Sequence, residues 1–198
     1  LLLASIVADI NERWPGISLE MVSGHTAQLA GALLQRELDL LVCPPLDVQH
    51  EAIASEPLLE AGIVVIVSSG HPMLAETPSD ISGLFKYPIA IPFLETRYLS
   101  ILRDDYGIDL NAQVGRVVCS DFEMLVRVVA NSSRLFTAGP RFAFANEIAA
   151  GQLRVVDLDV PFKHVIQLHT NKDAYPLPAV TQVTHIIRQA LTEFRATE

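Results

Sequence analysis

The apolar residues of this chain fall into two alternating rhythms. Leu3, Ile6, Val7, Ile10 and Trp14 recur at the spacing of one helical face, and Pro15-Gly16 then forces a turn. Ile17, Leu19 and Met21 alternate with Ser18 and Glu20, which predicts a strand. Thr26 opens and caps a helix running to Leu38, with Ala30, Leu33, Leu34 and Leu38 on its core face. Residues 39–43 predict a short buried strand, stopped by Pro44-Pro45. Residues 62–68 read GIVVIVS, apolar on both faces, as a central strand requires.

Between 70 and 87 the pattern weakens around Gly70, Pro72, Pro78 and Gly83, which predicts a connection carrying a short helix. Further strands are predicted at 89–92, 114–119, 135–138, 153–158 and 164–170. Helices are predicted over 96–106, from Asp121 with Phe122, Leu125, Val126 and Val129 inward, and over 141–149. Val180, Val183, Ile187, Ala190, Leu191 and Phe194 mark a last amphipathic helix. Such alternation predicts an α/β fold of mostly parallel sheets with helices on their faces. About nine short strands divide better into two sheets of roughly four or five than into one, because the pattern lapses near 70–87 and 159–163. The chain would leave a first lobe, build a second and return. Ligands of such sheets sit beyond the carboxyl ends of the strands, here in a cleft between lobes.

Composition narrows the function. The 198 residues carry 14 Lys+Arg against 23 Asp+Glu, a formal charge of −9, so the chain has no electrostatic footprint for nucleic acid. With 50% hydrophobic and 19% charged residues it is globular. No apolar run approaches the ~18 residues of a membrane span. The apolar start lacks a basic leader and meets Asp9, Asn11 and Glu12 at once, unlike a secretory signal. With no initiator Met and a helix already under way at Leu1, the chain reads as a piece of a longer protein.

Cys43 and Cys119 form no C-x-x-C pair and sit in apolar runs, as small buried hydrophobes in a reducing compartment do. His164 and His169 stand an odd number of positions apart on one strand and face opposite sides, so no metal pair is expected there. Asp157 and Asp159 mark a solvated strand end. No nucleophile elbow, dinucleotide fingerprint or phosphate loop is present, and no spacing of Ser, His and Asp selects a triad. No cofactor, metal or catalytic role is expected.

Three stretches carry a family resemblance: NERWPGISLEMVSG, HTAQLAGALLQRELDLLV and EPLLEAGIVVIVSSGHPML, together spanning 10–74. They resemble the effector-binding domain of LysR-type transcriptional regulators, whose patterns run Y-P-x-V-x-L, L-x-x-G-x-L-D-L-A-I and P-L-x-x-E-x-L-V-L-V with a following H-P-L. Residues 88–198 match in element order. The resemblance implies two Rossmann-like lobes of the type 2 periplasmic-binding-protein-like fold, crossed twice by the chain. Residues 1–68 and 164–198 would form lobe I and 88–160 lobe II, with 69–87 and 161–163 as connections. It also implies a strand and a DNA-binding helix-turn-helix before Leu1, absent from this chain, and side-by-side homodimers or homotetramers in the cytoplasm. Two departures stand out. The family's Gly-rich segment is replaced by Ala130-Asn131-Ser132-Ser133-Arg134, and its glycine before Leu-Asp by Arg36-Glu37.

Four turns are candidate effector contacts. Ser23, Gly24, His25 and Thr26 open a helix, where free N–H groups and the positive helix end favour an anion. In the family the corresponding loop contacts effector. Phe93, Thr96, Arg97 and Tyr98 lie in the matching loop of lobe II, with Arg97 suited to a carboxylate and the aromatics to an apolar body. Ser120 precedes Asp121, itself an N-cap, and Thr137 lies near another strand exit. Cys43 lines the cleft or hinge side. The expected function is sensing of a small metabolite, a carboxylate by chemistry, that modulates DNA binding through the missing segment. The alternatives are a transporter's solute-binding protein and, with no motif behind it, an enzyme.

Overall fold

The computed structural model describes residues 2–92, 96–175 and 177–195. Helix α1 (Leu2–Arg13) leads to α2 (Thr26–Leu34), strand β1 (Leu41–Cys43) and a long strand β2 (Ile53–Ser68). A 3-10 turn at Pro72–Leu74 precedes α3 (Ile81–Leu84), β3 (Ala90–Ile91) and α4 (Thr96–Tyr106). Then come β4 (Val117–Val118), α5 (Phe122–Ala130), β5 (Phe136–Pro140), a second 3-10 turn at Arg141–Phe144 and α6 (Ala145–Ala149). Strands β6 (Leu153–Val156) and β7 (Lys163–Asn171) and helix α7 (Pro178–Arg195) complete the chain. No helix among the described residues is long and apolar enough to cross a membrane.

The chain divides into two compact units, 1–60 with 165–198 and 61–164. In the first, β1 pairs antiparallel with β7, setting Leu41 opposite His169 and Cys43 opposite Gln167. These four share one face of the ladder. There Leu33 of α2 packs with Leu41, Cys43 and Ile53, and Leu29, Leu34, Leu38 and Leu46 close around them. Ile6 and Ile10 of α1 are buried, as are Val183, Ile186, Ile187 and Leu191 of α7, and the two helices touch.

In the second unit β2 is central, as its two-sided apolar pattern requires. Val65 pairs antiparallel with Ala138 of β5 on one side and with Val156 of β6 on the other. Val65, Ile66 and Val67 are fully buried. Two clusters cover the two faces. One gathers Val65, Val67, Met73, Ile91 and Phe136, the other Ile66, Leu125, Val129 and Phe144.

Several expectations are corrected. The sheets are not mostly parallel: β1–β7, β2–β5 and β2–β6 are antiparallel, and β3–β4 is parallel. Residues 17–21 form no strand, because no strand among the described residues pairs with them to supply the ladder bonds. The helix expected to reach Leu38 stops at Leu34, since Arg36 turns to φ 62, the left-handed region that ends helices. The strand expected from Val114 shrinks to two residues because Gly115, at φ 78, breaks the extended run. Phe122, expected inward, is partly exposed, although its ring packs tilted on Phe144 with centroids 5.4 Å apart.

Candidate functional site

The first turn of α2 is open. His25 occupies the N-cap position at φ −69, ψ 135 and makes no side-chain cap bond. Thr26, expected as the cap, is instead the first helical residue, because the backbone turns helical one residue earlier than a Thr cap requires. The first bond of the helix runs from Leu29 N to His25 O at 3.0 Å. The amides of Thr26, Ala27 and Gln28 therefore lack carbonyl partners within the helix and carry its positive end outward. Ser23, Gly24 and His25 are exposed and Thr26 half-buried. Gly24 is not demanded by the backbone, since a Cβ there meets only the Leu29 side chain at an ordinary 3.6 Å.

Cys43 packs as a hydrophobe. It is buried beside Leu41 and Ile53, and its thiol donates to Pro44 O at 3.1 Å. An exposed thiolate of the kind redox sensing needs is not present there.

In the second unit Phe93 lies outside the described residues. Thr96 and Arg97 form the first turn of α4. Tyr98 is half-buried and its hydroxyl donates to Lys163 O at 3.4 Å. Ser120 is exposed, and Asp121 beside it caps α5 by accepting Met124 N at 3.1 Å. Thr137 is 1% exposed, opposite Ile66 in the ladder, with no hydrogen-bond partner for its buried Oγ1 among the described residues. It is the second residue of β5, not its exit.

The unusual polar stretch, 131–134, folds as a turn between α5 and β5 built from its own polar groups. The Ser132 hydroxyl accepts Arg134 N and Leu135 N, and its carbonyl accepts the Ser68 hydroxyl at 2.7 Å. The Asn131 amide donates to Arg127 O at 2.8 Å, covering a carbonyl at the end of α5. Side-chain bonds replace the conformational freedom that glycines give.

Two polar pairs of the first unit escaped the sequence reading. Ser55 Oγ lies 2.8 Å from His169 Nδ1. His169 is fully buried, and its Nε2 has no hydrogen-bond partner among the described residues. Burial holds the imidazole below the ordinary histidine range, against the opposing pull of the Pro44 and Cys43 carbonyls. Behind β2, Arg188 of α7 grips Glu56 with two bonds of 2.6 Å. Hydrogen bonding to Arg188 holds the Glu56 carboxyl below its usual range, assisted by the guanidinium charge and opposed by slight burial. Both pairs hang on the first half of β2, which Glu56, Pro57 and Glu60 hide as a strand. The signal available was faint: Ile53 and Ser55 stand two positions apart, on one face of an extended run. Among the described residues no group of three metal-binding side chains occurs.

Comparison with known proteins places this geometry. The profile of the LysR substrate binding domain matches residues 1–192. Over 87 residues the chain is 23% identical to the HTH-type transcriptional regulator CysB of Burkholderia cenocepacia, a match spanning 44% of this chain and 28% of that protein. The chain thus spans well under two thirds of the curated relative it matches. A putative transcriptional regulator from Vibrio parahaemolyticus superposes with a TM-score of 0.77 at 18% identity, over 99% of this chain and 90% of the other. The effector binding domain of QuiR in complex with shikimate gives 0.75 at 18% identity, over 96% and 90%. The regulatory domain of Synechocystis PCC6803 CcmR in complex with 2-PG gives 0.75 at 15%, also over 96% and 90%.

Proposed function

The chain belongs to the LysR substrate binding domain family, and from that premise we propose that it is the metabolite-sensing part of a cytoplasmic transcription regulator. Its fold is of the type 2 periplasmic-binding-protein-like kind. The effector is a small carboxylate. The observation that carries this chemistry is the open first turn of α2, where amides without helical partners and the Thr26 side chain stand beside exposed Ser23 and His25. The QuiR and CcmR domains, described in complex with shikimate and 2-PG, support a small-molecule effector. Ser120, Thr96, Arg97 and Tyr98 are the proposed contacts from the second unit. Phe93, Thr137 and Cys43 complete the proposed set, with Thr137 and Cys43, both buried, needing their strands to shift before they could reach a ligand.

Regulation follows from differential affinity. An effector that binds one conformation better shifts the population toward it, by at most that difference. In this reading the DNA-binding helix-turn-helix lies in a segment outside these residues, in keeping with their formal charge of −9. The working assembly is a homodimer. Exposed apolar side chains support it, Met21 at 65% in one unit and Val118 at 51% and Met124 at 56% in the other.

A thermal-shift screen of small carboxylates, shikimate included, tests the reading. At least one acid should raise the melting temperature in a concentration-dependent way. A flat response across the carboxylates, with a response to cationic or neutral compounds, would overturn the assigned chemistry.

A further inference from the structure

We propose that the first unit carries a second small-molecule site of its own, a pocket under the loop after β1 that takes a monocarboxylate with a short apolar body. The pocket encloses about 470 Å³, within the range of roughly 300–1,000 Å³ typical of ligand sites. None of Ser23, Gly24, His25 or Thr26 lines it, so it is separate from the turn at α2.

Its walls divide by chemistry. Pro45, Leu46 and Ile53 supply an apolar floor. Ser55, Gln167, His50 and Lys172 supply polar groups at the walls and rim. The Lys172 ammonium donates to Glu51 O at 2.8 Å, which positions it and leaves two N–H donors. His50 Nδ1 accepts from Ala52 N at 3.1 Å, so in the neutral ring the proton sits on Nε2 and that nitrogen donates. The Ser55 hydroxyl is held from behind by buried His169 at 2.8 Å. A hydroxyl has one donor and two acceptor sites, so it keeps a further bond for a ligand in either histidine tautomer.

The rim is therefore rich in donors and calls for an acceptor-rich head group. Among the described lining residues Lys172 is the formal cation, and Glu51, whose backbone carbonyl it bonds, is the formal anion. Lys172 and Glu51 leave the lining without net formal charge, so the convergent donors hold the head group, and a single negative charge is the most the lining accommodates.

Hexanoate is a suitable probe, with one carboxylate and a short alkyl body. In a titration of the whole chain followed by amide proton–nitrogen correlation spectra, saturable shifts are expected at 46–55 and 167–172. Lys172→Met should weaken the affinity about tenfold, as loss of a charge-assisted bond does. Leu46→Trp, which fills the floor, should abolish the shifts. Thr26→Ala should leave them unchanged. No saturable shift, shifts confined to 23–28, or an affinity untouched by both Lys172→Met and Leu46→Trp overturns the proposal. Loss of the shifts in Thr26→Ala overturns it while sparing the turn at α2 as an anion site.

Discussion

Arg188 on the last helix holds Glu56 on the long strand through two parallel hydrogen bonds of 2.6 Å, from Nε and Nη2 to the two carboxylate oxygens. The pair ties α7 to β2 within the first unit. The side chains are 52% and 39% exposed, so solvent screens the attraction. Glu56→Gln should therefore cost about 0.2–1 kcal/mol in urea unfolding. The carboxyl is depressed in the folded state. Its contribution is complete above the ordinary value of 4.5 and is lost as pH falls through the lower folded value. In Glu56→Gln the acid-side fall of stability should flatten, and an unchanged acid limb would contradict the pairing.

His169 makes a prediction of the same sign in a higher pH window. Burial lowers its affinity for a proton, so the unfolded chain protonates first as pH falls. Stability should be greatest above the ordinary value of 6.5 and decline as pH drops through it toward the lower folded value. Urea midpoints measured from about pH 7.5 to about pH 5.5 should show that decline, and His169→Gln should reduce its slope.

Asp121→Ala removes the carboxylate that accepts Met124 N at the start of α5. Loss of such a cap costs about 1 kcal/mol. Asp121→Asn should recover most of it, because the amide oxygen accepts the same bond. Chemical denaturation of the three proteins gives both numbers.

If Val118 and Met124 lie in the homodimer contact, Val118→Lys with Met124→Lys should shift sedimentation profiles toward monomer at fixed concentration. The stability of the single chain should change little, since both side chains are exposed in it. A dimer of unchanged affinity would move the interface elsewhere.

The sequence pattern was a good guide wherever local physics decides. Thr96 to Tyr106 is helical as expected, with Gly107 at φ 66 just beyond it. Asp121 caps as expected. Strand partnership was not legible. Whether β2 meets β5 parallel or antiparallel depends on contacts between distant residues, such as Val65 with Ala138, and strand–helix alternation does not encode it. Residues 17–21 hold a true period-two pattern, yet a strand exists only with a neighbour to share its hydrogen bonds. Arg36 at φ 62 occupies the place of a glycine, and its guanidinium donates to Asp173 O at 2.9 Å. Of the candidate site, the turn before α2 was visible because polar residues there interrupt the apolar pattern. Ser55 and His169 were not, because they meet across 114 positions of chain.

The proposed function has the effector bound at the open turn of α2. Calorimetric titration of the best-stabilising carboxylate into the unaltered chain and into Thr26→Ala tests it most directly. Loss of one hydroxyl bond to an anion predicts affinity weakened about tenfold or more, with the melting temperature of the free protein nearly unchanged. Equal affinity in the two proteins would contradict the account.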